Sequence, residues 1–241
     1  SHEIRTPMNA ILGFAQVLTR DASLTHRQAE HVRIIIRSGE HLLHLINDIL
    51  DMSKIEAGRI ILNESSFCLH DLLDDLELMF RSRADAKALQ LLVERDESVP
   101  RYATADEGKL RQVLVNLIGN AVKFMEIGGV AVRVRAESDA GKTVVDGKTL
   151  RLVAEVEDSG PGIAAEDIDM IFDAFQQSAT GVKAGGTGLG LAISRKFAEM
   201  MGGRLTVTSR VGKGSCFRLE VLLAPAEEIA ALEKPASRRI T

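Results

Sequence analysis

Gly185-Gly186-Thr187-Gly188-Leu189-Gly190-Leu191 opens an amphipathic helical pattern and follows a stretch, Gln176 to Ala184, with almost nothing to pack. Glycines at a helix start let the backbone approach an anion, and the unpaired N–H groups of the first turn point at it. The run reads as a glycine-hinged flap over a phosphate site, although tight turns also produce glycine strings. Asp158 is a second signal. If Leu150–Asp158 is a strand, Asp158 shares a face with Leu152, Ala154 and Val156. A carboxylate there is costly unless donors meet it, and the exocyclic amine of adenine is one such donor. A turn-capping Asp ahead of Gly160 and Pro161 accounts for it equally well. Gly162 permits a ring to lie against the backbone. A third signal is the helical pattern Lys109–Phe124, which sets Leu110, Val113, Leu114, Leu117 and Ala121 on one side and Gln112, Asn116, Asn120 and Lys123 on another. Mid-helix amides do not help helix propensity. An amide oxygen is a neutral ligand for Mg²⁺ beside phosphates, and Lys123 can neutralise phosphate charge; a solvated helix face is the plain alternative.

These residues need a scaffold, and the composition supplies one. The hydrophobic fraction of 45% and charged fraction of 27% are those of an ordinary globular chain, long enough for one large or two small domains. A net charge of −4 without a basic face, no Trp and one Tyr argue against nucleic acid as a partner. Cys68 and Cys216 stand far apart without metal-ligand spacing, as packing residues in a reduced, cytoplasmic setting would. No apolar run approaches spanning length and no signal-peptide pattern is present, so this sequence is expected to make no membrane contact and to be part of something longer.

Two helical patterns flank the polar break Asp21–Thr25 and predict a hairpin. In the first, Ile4, Met8, Ile11, Ala15 and Leu18 share a face, with His2, Thr6, Asn9 and Gly13 on another stripe. In the second, ending near Gly58, the apolar positions Val32 and Ile46, then Ile35, Leu42 and Ile49, then Ile36, Leu43 and Leu50 form a stripe too wide for one partner. Dimerisation into a four-helix bundle is the simplest way to cover it. The texture changes near Leu62. Beyond it the chain reads as α+β, with helices at about 67–88, 106–125, 165–173 and 188–201 and strands near 89–95, 129–137, 149–157, 204–210 and 215–223. Asp139-Ala140-Gly141 and Asp146-Gly147 mark turns in a hairpin, so the sheet is partly antiparallel, and helices are expected to cover one face as a two-layer α/β sandwich. The expected divisions are 1–62, 63–224, and a linker over 225–241.

The amide helix, Asp158-Ser159-Gly160-Pro161-Gly162, Ile171-Phe172-Asp173-Ala174-Phe175 and the glycine flap occur in the order that resembles the ATP-binding domain of sensor histidine kinases, related in fold to gyrase-type ATPases. Ser1-His2-Glu3-Ile4-Arg5-Thr6-Pro7-Met8-Asn9 resembles the phospho-acceptor box of the same family's dimerisation domain, so the resemblance extends from Ser1 to about Leu223. It implies that His2 is phosphorylated, Glu3 acts as general base, and Thr6 positions water in a reverse, phosphatase reaction. Pro7 lacks an N–H for the Glu3 carbonyl and should loosen the helix beside the nucleophile. The resemblance further implies that Asn120 holds Mg²⁺ with Asn116 directly or through water, that Lys123 touches phosphate, and that Asp158 holds the adenine amine with Gly160 and Gly162 shaping the pocket. Gly186, Thr187, Gly188, Leu189 and Gly190 become the lid hinge and phosphate approach, and Lys183, the only basic residue of the flap, a γ-phosphate contact. Phe172 and Phe175 become a lid-anchoring element, and Gly212 and Gly214 a structural turn.

The implied activity is ATP- and Mg²⁺-dependent autophosphorylation of His2 in a homodimer, followed by transfer to an aspartate of a response-regulator receiver domain, which is expected to follow Thr241 in the parent protein. Met125 departs from the family, whose members usually carry a small hydroxyl residue there. Two alternatives from other classes remain: a gyrase-type ATPase for which His2 is incidental, and a non-catalytic dimeric adaptor.

Overall fold

The computed structural model describes residues 2–21, 23–144, 147–177 and 186–227, apart from the side chains of 2, 3, 138–144, 147 and 148. The chain divides into two compact units, Ser1–Ile60 and Ile61–Thr241.

The first unit is a hairpin of α1 (His2–Leu18) and α2 (His26–Glu56). The break between them is fixed locally. The Asp21 carboxylate accepts from Ser23 N at 2.8 Å, and Thr25 caps α2 in a reciprocal box with Gln28. Gly39 lets the helices approach: a Cβ there would lie 2.7 Å from Leu12 Cδ2. The apolar face expected on α1 is therefore divided. Ala15 turns inward with Leu12, opposite the buried Val32, whereas Ile4, Ile11 and Leu18 stay about half exposed, as do Ile35, Leu42 and Ile49 on α2. A single α2 has too narrow a surface to cover the whole stripe.

The second unit contains β1 (Ser65–Cys68), α3 (Leu69–Asp85), β2 (Gln90–Arg95), β3 (Tyr102–Ala105), α4 (Glu107–Phe124), β4 (Gly129–Val144), β5 (Gly147–Asp158), α5 (Gly190–Met200), β6 (Arg204–Arg210) and β7 (Gly214–Pro225). β2 pairs parallel to β4; β4–β5, β5–β7 and β6–β7 are antiparallel. The far end of β7 meets β3, and β3 meets β1. One face of the sheet, with Val130, Val132, Leu152, Ala154, Val156, Leu219 and Val221, is buried with α3, α4 and α5, whose Phe80, Leu114, Leu117 and Phe197 are at most 1% exposed. This is the two-layer arrangement expected for alternating apolar strands beside one-sided amphipathic helices.

Several local expectations need correction. The helix expected from 67 begins at Leu69, because Ser65–Cys68 pairs with Tyr102–Ala105 as two four-residue strands. Such short strands have no period of their own to separate them from a neighbouring helix. The helix expected at 165–173 is two 3₁₀ turns, Ala165–Asp167 and Met170–Phe172. Asp167 N to Ala164 O and Asp173 N to Met170 O, both 3.0 Å, close them; the segment is too short to repay α-helix nucleation. Asp139-Ala140-Gly141 does not reverse the chain. β4 continues to Val144, and an irregularity between Ser138 and Thr143 absorbs the extra residues. Asp146 lies outside the described residues. Pro225, expected in the linker, still pairs with Ala103.

The opposite face of the sheet is held by ions. Glu220, 2% exposed, accepts from Arg218 Nε at 2.8 Å, Arg204 at 3.1 Å and Arg151 at 3.2 Å. Arg218 also reaches Glu155 at 2.7 Å, and Arg133 joins Glu94 at 2.9 Å to Glu157 at 2.6 Å. Burial alone would push the Glu220 carboxyl up, but the hydrogen bonds and charges of Arg218 and Arg204 outweigh it and hold its pKa at about 2. A depressed folded pKa gives stability that is complete above the ordinary value of 4.5 and is lost as pH falls toward about 2. Glu220→Gln should therefore cost about 3 kcal/mol at neutral pH, and the difference should vanish toward pH 2 in denaturant unfolding run across that range.

Candidate active site

The polar stripe of α4 is held at both ends. Asp106 caps its start, accepting from Lys109 N through Oδ1 and from Asn63 N through Oδ2, each at 2.9 Å. Lys87 Nζ closes its end by donating to the carbonyls of Val122 and Lys123 at 2.9 Å and Met125 at 3.3 Å. Sequence reasoning missed Lys87, since no local signal connects a basic residue after α3 to the last turn of α4.

Between these anchors Asn116 and Asn120, one turn apart and half-buried, face α5. Asn120 Nδ2 donates to Asn116 Oδ1 at 3.3 Å, and Asn116 Nδ2 donates to Ser194 Oγ at 2.9 Å. Gly190, the first residue of α5, lies so close that a Cβ would sit 2.6 Å from Asn116 Oδ1. The structure thus brings the amide helix and the glycine run together. Lys123 is more exposed, with Nζ 5.5 Å from the Phe124 ring, and partial burial pushes its ammonium down.

Asp158 ends β5 opposite Ser215 of β7. Its Oδ1 accepts from Gly160 N at 2.8 Å, which is the turn-capping bond, yet the residue also lies on the inner face with Leu152, Ala154 and Val156. Burial pushes the Asp158 carboxyl above the usual range, against hydrogen bonds from the Gly160 and Ser215 backbones. Gly160 leaves no space for a side chain, since a Cβ would be 2.7 Å from that Oδ1 and 3.4 Å from Met125 Cγ. Met125 is 1% exposed and packs behind the turn, 3.7 Å through Sδ from Ser159 Oγ. Gly162 has φ +70, and a Cβ there would overlap the Arg210 carbonyl. Gly212 N to Pro161 O at 2.7 Å and Ile163 N to Ser209 Oγ at 2.8 Å pin this loop to the β6–β7 turn.

Gly186, Thr187, Gly188 and Leu189 run into α5. Gln177 Nε2 donates to Gly186 O at 2.9 Å and Phe175 N to Gly188 O at 3.0 Å. Thr187 Oγ1 accepts from Leu189 N at 3.1 Å, and Leu189 is fully buried. Phe172 lies under the Arg195 guanidinium, 5.2 Å away. Lys183 lies outside the described residues. In the first unit α1 begins at His2 and contains Pro7; Thr6 and Asn9 are exposed, and the side chains of His2 and Glu3 are outside the described set.

Residues 105–225 match the family described as histidine kinase-, DNA gyrase B-, and HSP90-like ATPase. The chain belongs to that family. Residues 1–58 match the His Kinase A (phospho-acceptor) domain, so the pair of domains is that of protein histidine kinases in two-component signalling. Sensor protein GacS of Pseudomonas syringae pv. syringae is 41% identical over 95% of this chain and 25% of its own length. Signal transduction histidine-protein kinase BarA of Escherichia coli K12 is 36% identical over 92% of this chain and 24% of its own length. The chain thus spans about a quarter of the length of the curated relatives it matches. Among solved structures, full-length ShkA in complex with AMPPNP superposes with a TM-score of 0.73 at 36% identity, over 93% of this chain and 45% of that one. Histidine kinase AdeS of Acinetobacter baumannii shares the fold, with a TM-score of 0.59 at 22% identity over 92% of this chain and 97% of that one. Among the described residues no helix is long and apolar enough to cross a membrane.

Gly162 and Gly212 both have positive φ, but a Cβ at Gly212 meets nothing within 4 Å. Gly212→Ala should cost about 1 kcal/mol of backbone strain, and Gly162→Ala distinctly more because the Arg210 carbonyl must also move, as chemical denaturation of the two variants would measure.

Proposed function

We propose that this chain binds ATP with Mg²⁺ in its second unit, transfers the γ-phosphoryl group to His2, and passes it to an aspartate of a response-regulator receiver domain. The observation that carries the reading is the apposition of Asn116 and Asn120 to the glycine start of α5, where the backbone is bare enough for phosphates to approach. Among the described residues no three His, Cys, Asp or Glu side chains converge as metal ligands. The amide oxygens suit the cation instead: they are hard, neutral oxygen donors of the kind Mg²⁺ accepts beside phosphates. Asn120 would hold it, with Asn116 directly or through water, and the ion would neutralise charge on the transferring group.

The remaining roles fall to the chain itself. Asp158 accepts from the adenine amine, and Gly160 and Gly162 allow the tight turn that shapes the pocket beside it. Gly186, Thr187, Gly188, Leu189 and Gly190 hinge the lid, while Lys123 and Lys183 offset phosphate charge. A nitrogen of His2 attacks the γ-phosphorus in line; the P–N bond forms as the bond to the ADP oxygen breaks, and Glu3 takes up or orients the proton on the other ring nitrogen. Positioning and charge compensation carry most of the rate. Thr6, exposed and one turn from His2, would hold water for the reverse, phosphatase reaction. The exposed Ile4, Ile11, Leu18, Ile35, Leu42 and Ile49 would be covered by a second hairpin in a homodimeric bundle. The expected divisions, 1–62, 63–224 and 225–241, remain part of this reading, with Pro225 moved from the linker into the sheet domain.

Incubation with γ-labelled ATP and Mg²⁺ tests it. Label that survives alkali, is lost in acid and is absent from His2→Gln is expected. Unchanged ATP turnover in that variant with no phosphoprotein would favour a gyrase-type ATPase. A second outcome concerns pH. Burial raises the Asp158 pKa, and its ionised form accepts the turn and amine hydrogens more strongly than the neutral acid, whose second oxygen carries a proton. Adenine nucleotide affinity, measured by titration calorimetry, should therefore weaken on acidification at a higher pH than an ordinary aspartate with pKa 3.8 would produce, and Asp158→Asn should abolish that dependence.

A further inference from the structure

We propose that Ser194 is a positioning residue for the cation site, acting through Asn116 on Asn120. The inference rests on the reading of these amides as the Mg²⁺ site. Ser194 is 2% exposed, in the second turn of α5, a hydroxyl buried beside the apolar Ala192, Ile193, Phe197 and Ala198. Its Oγ accepts from Asn116 Nδ2 at 2.9 Å; Asn116 Oδ1 in turn accepts from Asn120 Nδ2 at 3.3 Å.

The direction of this relay matters. An amide has an oxygen that can face a cation and an NH₂ that cannot. With Asn120 Oδ1 on the ion, its Nδ2 points back and needs an acceptor, which Asn116 Oδ1 supplies. Asn116 is then committed to presenting its own Nδ2 to α5, and Ser194 Oγ is the acceptor waiting there. The metal-competent orientation of both amides therefore ends on one buried hydroxyl. Without that hydroxyl the Asn116 NH₂ has no partner on α5, so the amide pair is held less firmly in this arrangement. Gly190 keeps the relay tight, because any side chain at that position would displace the Asn116 amide. The hydroxyl thereby ties the lid-bearing helix to the metal-facing amides by hydrogen bonding as well as by contact.

Titration calorimetry of ADP with and without Mg²⁺ tests the assignment, read as the factor by which Mg²⁺ tightens binding. Loss of an outer-shell partner typically costs about tenfold in metal affinity. Ser194→Ala and the near-isosteric Ser194→Cys should lose about that much of the Mg²⁺ factor while staying folded and keeping metal-free ADP affinity, and Ser194→Thr, which retains the hydroxyl, should keep it. An unchanged Mg²⁺ factor in the folded Ala or Cys variant overturns the relay. So does a parallel loss of metal-free and Mg²⁺-dependent affinity, which marks Ser194 as packing only. If the parent chain itself binds ADP without any Mg²⁺ factor, the amides are no metal site and the relay falls with the reading it rests on.

Discussion

The close approach of α4 and α5 is the constraint on which the second unit turns. Asn116 occupies the space where a side chain on Gly190 would be, so the helix with the polar stripe and the helix that opens on glycines meet with an amide in the gap. The apolar side of each helix is buried through Leu114, Leu117, Ile193 and Phe197, which leaves the polar edge of α4 to meet the start of α5, at the Gly190 backbone and the Ser194 hydroxyl. Removing a Cβ at Gly190 does two things at once. It admits the amide, and it exposes the first-turn N–H groups from which anion binding at a helix start derives.

The anchors around this gap lie well away from it in sequence. Asp106 fixes the start of α4 to Asn63 and Lys87 fixes its end to the carbonyls that would otherwise lack partners. The Asp158 turn is tied to the β6–β7 turn through Pro161 and Ile163. On the reverse of the sheet, Glu220 and its arginines lock β5, β6 and β7 together. A buried carboxylate is tolerated there because each oxygen is met by a guanidinium, and the cost of removing it from water is offset by fixed partners rather than by solvent. The Asp158 turn and α4 are thus each tied to distant elements, and Gly186 and Gly188 precede α5.

The first unit follows a different logic. Its two helices approach closely at Gly39 and Leu12, with Ala15 and Val32 also buried, and a broad apolar stripe remains open on both. The stripe lies within the residues that match the His Kinase A (phospho-acceptor) domain.

Much of this was legible in the sequence because it rests on local periodicity. The 3.6-residue repeat of Leu110, Val113, Leu114, Leu117 and Ala121 fixes which side of α4 is buried and so places Asn116 and Asn120 on another; alternation along Leu152, Ala154 and Val156 does the same for Asp158. Motif order and the residues around His2 sufficed to indicate the family. Short elements escaped: β1 pairs with β3 and β3 with β7, contacts that no local period signals, and the two 3₁₀ turns replace a helix too brief to nucleate. The partnerships that orient the site were equally out of reach. Asn116 and Ser194 are 78 residues apart, and Lys87 caps a helix end 35 residues on. Periodicity determines which face a side chain occupies, but which distant group that face meets is decided by the packing of α4, α5 and the sheet, and only the tertiary structure contains that information.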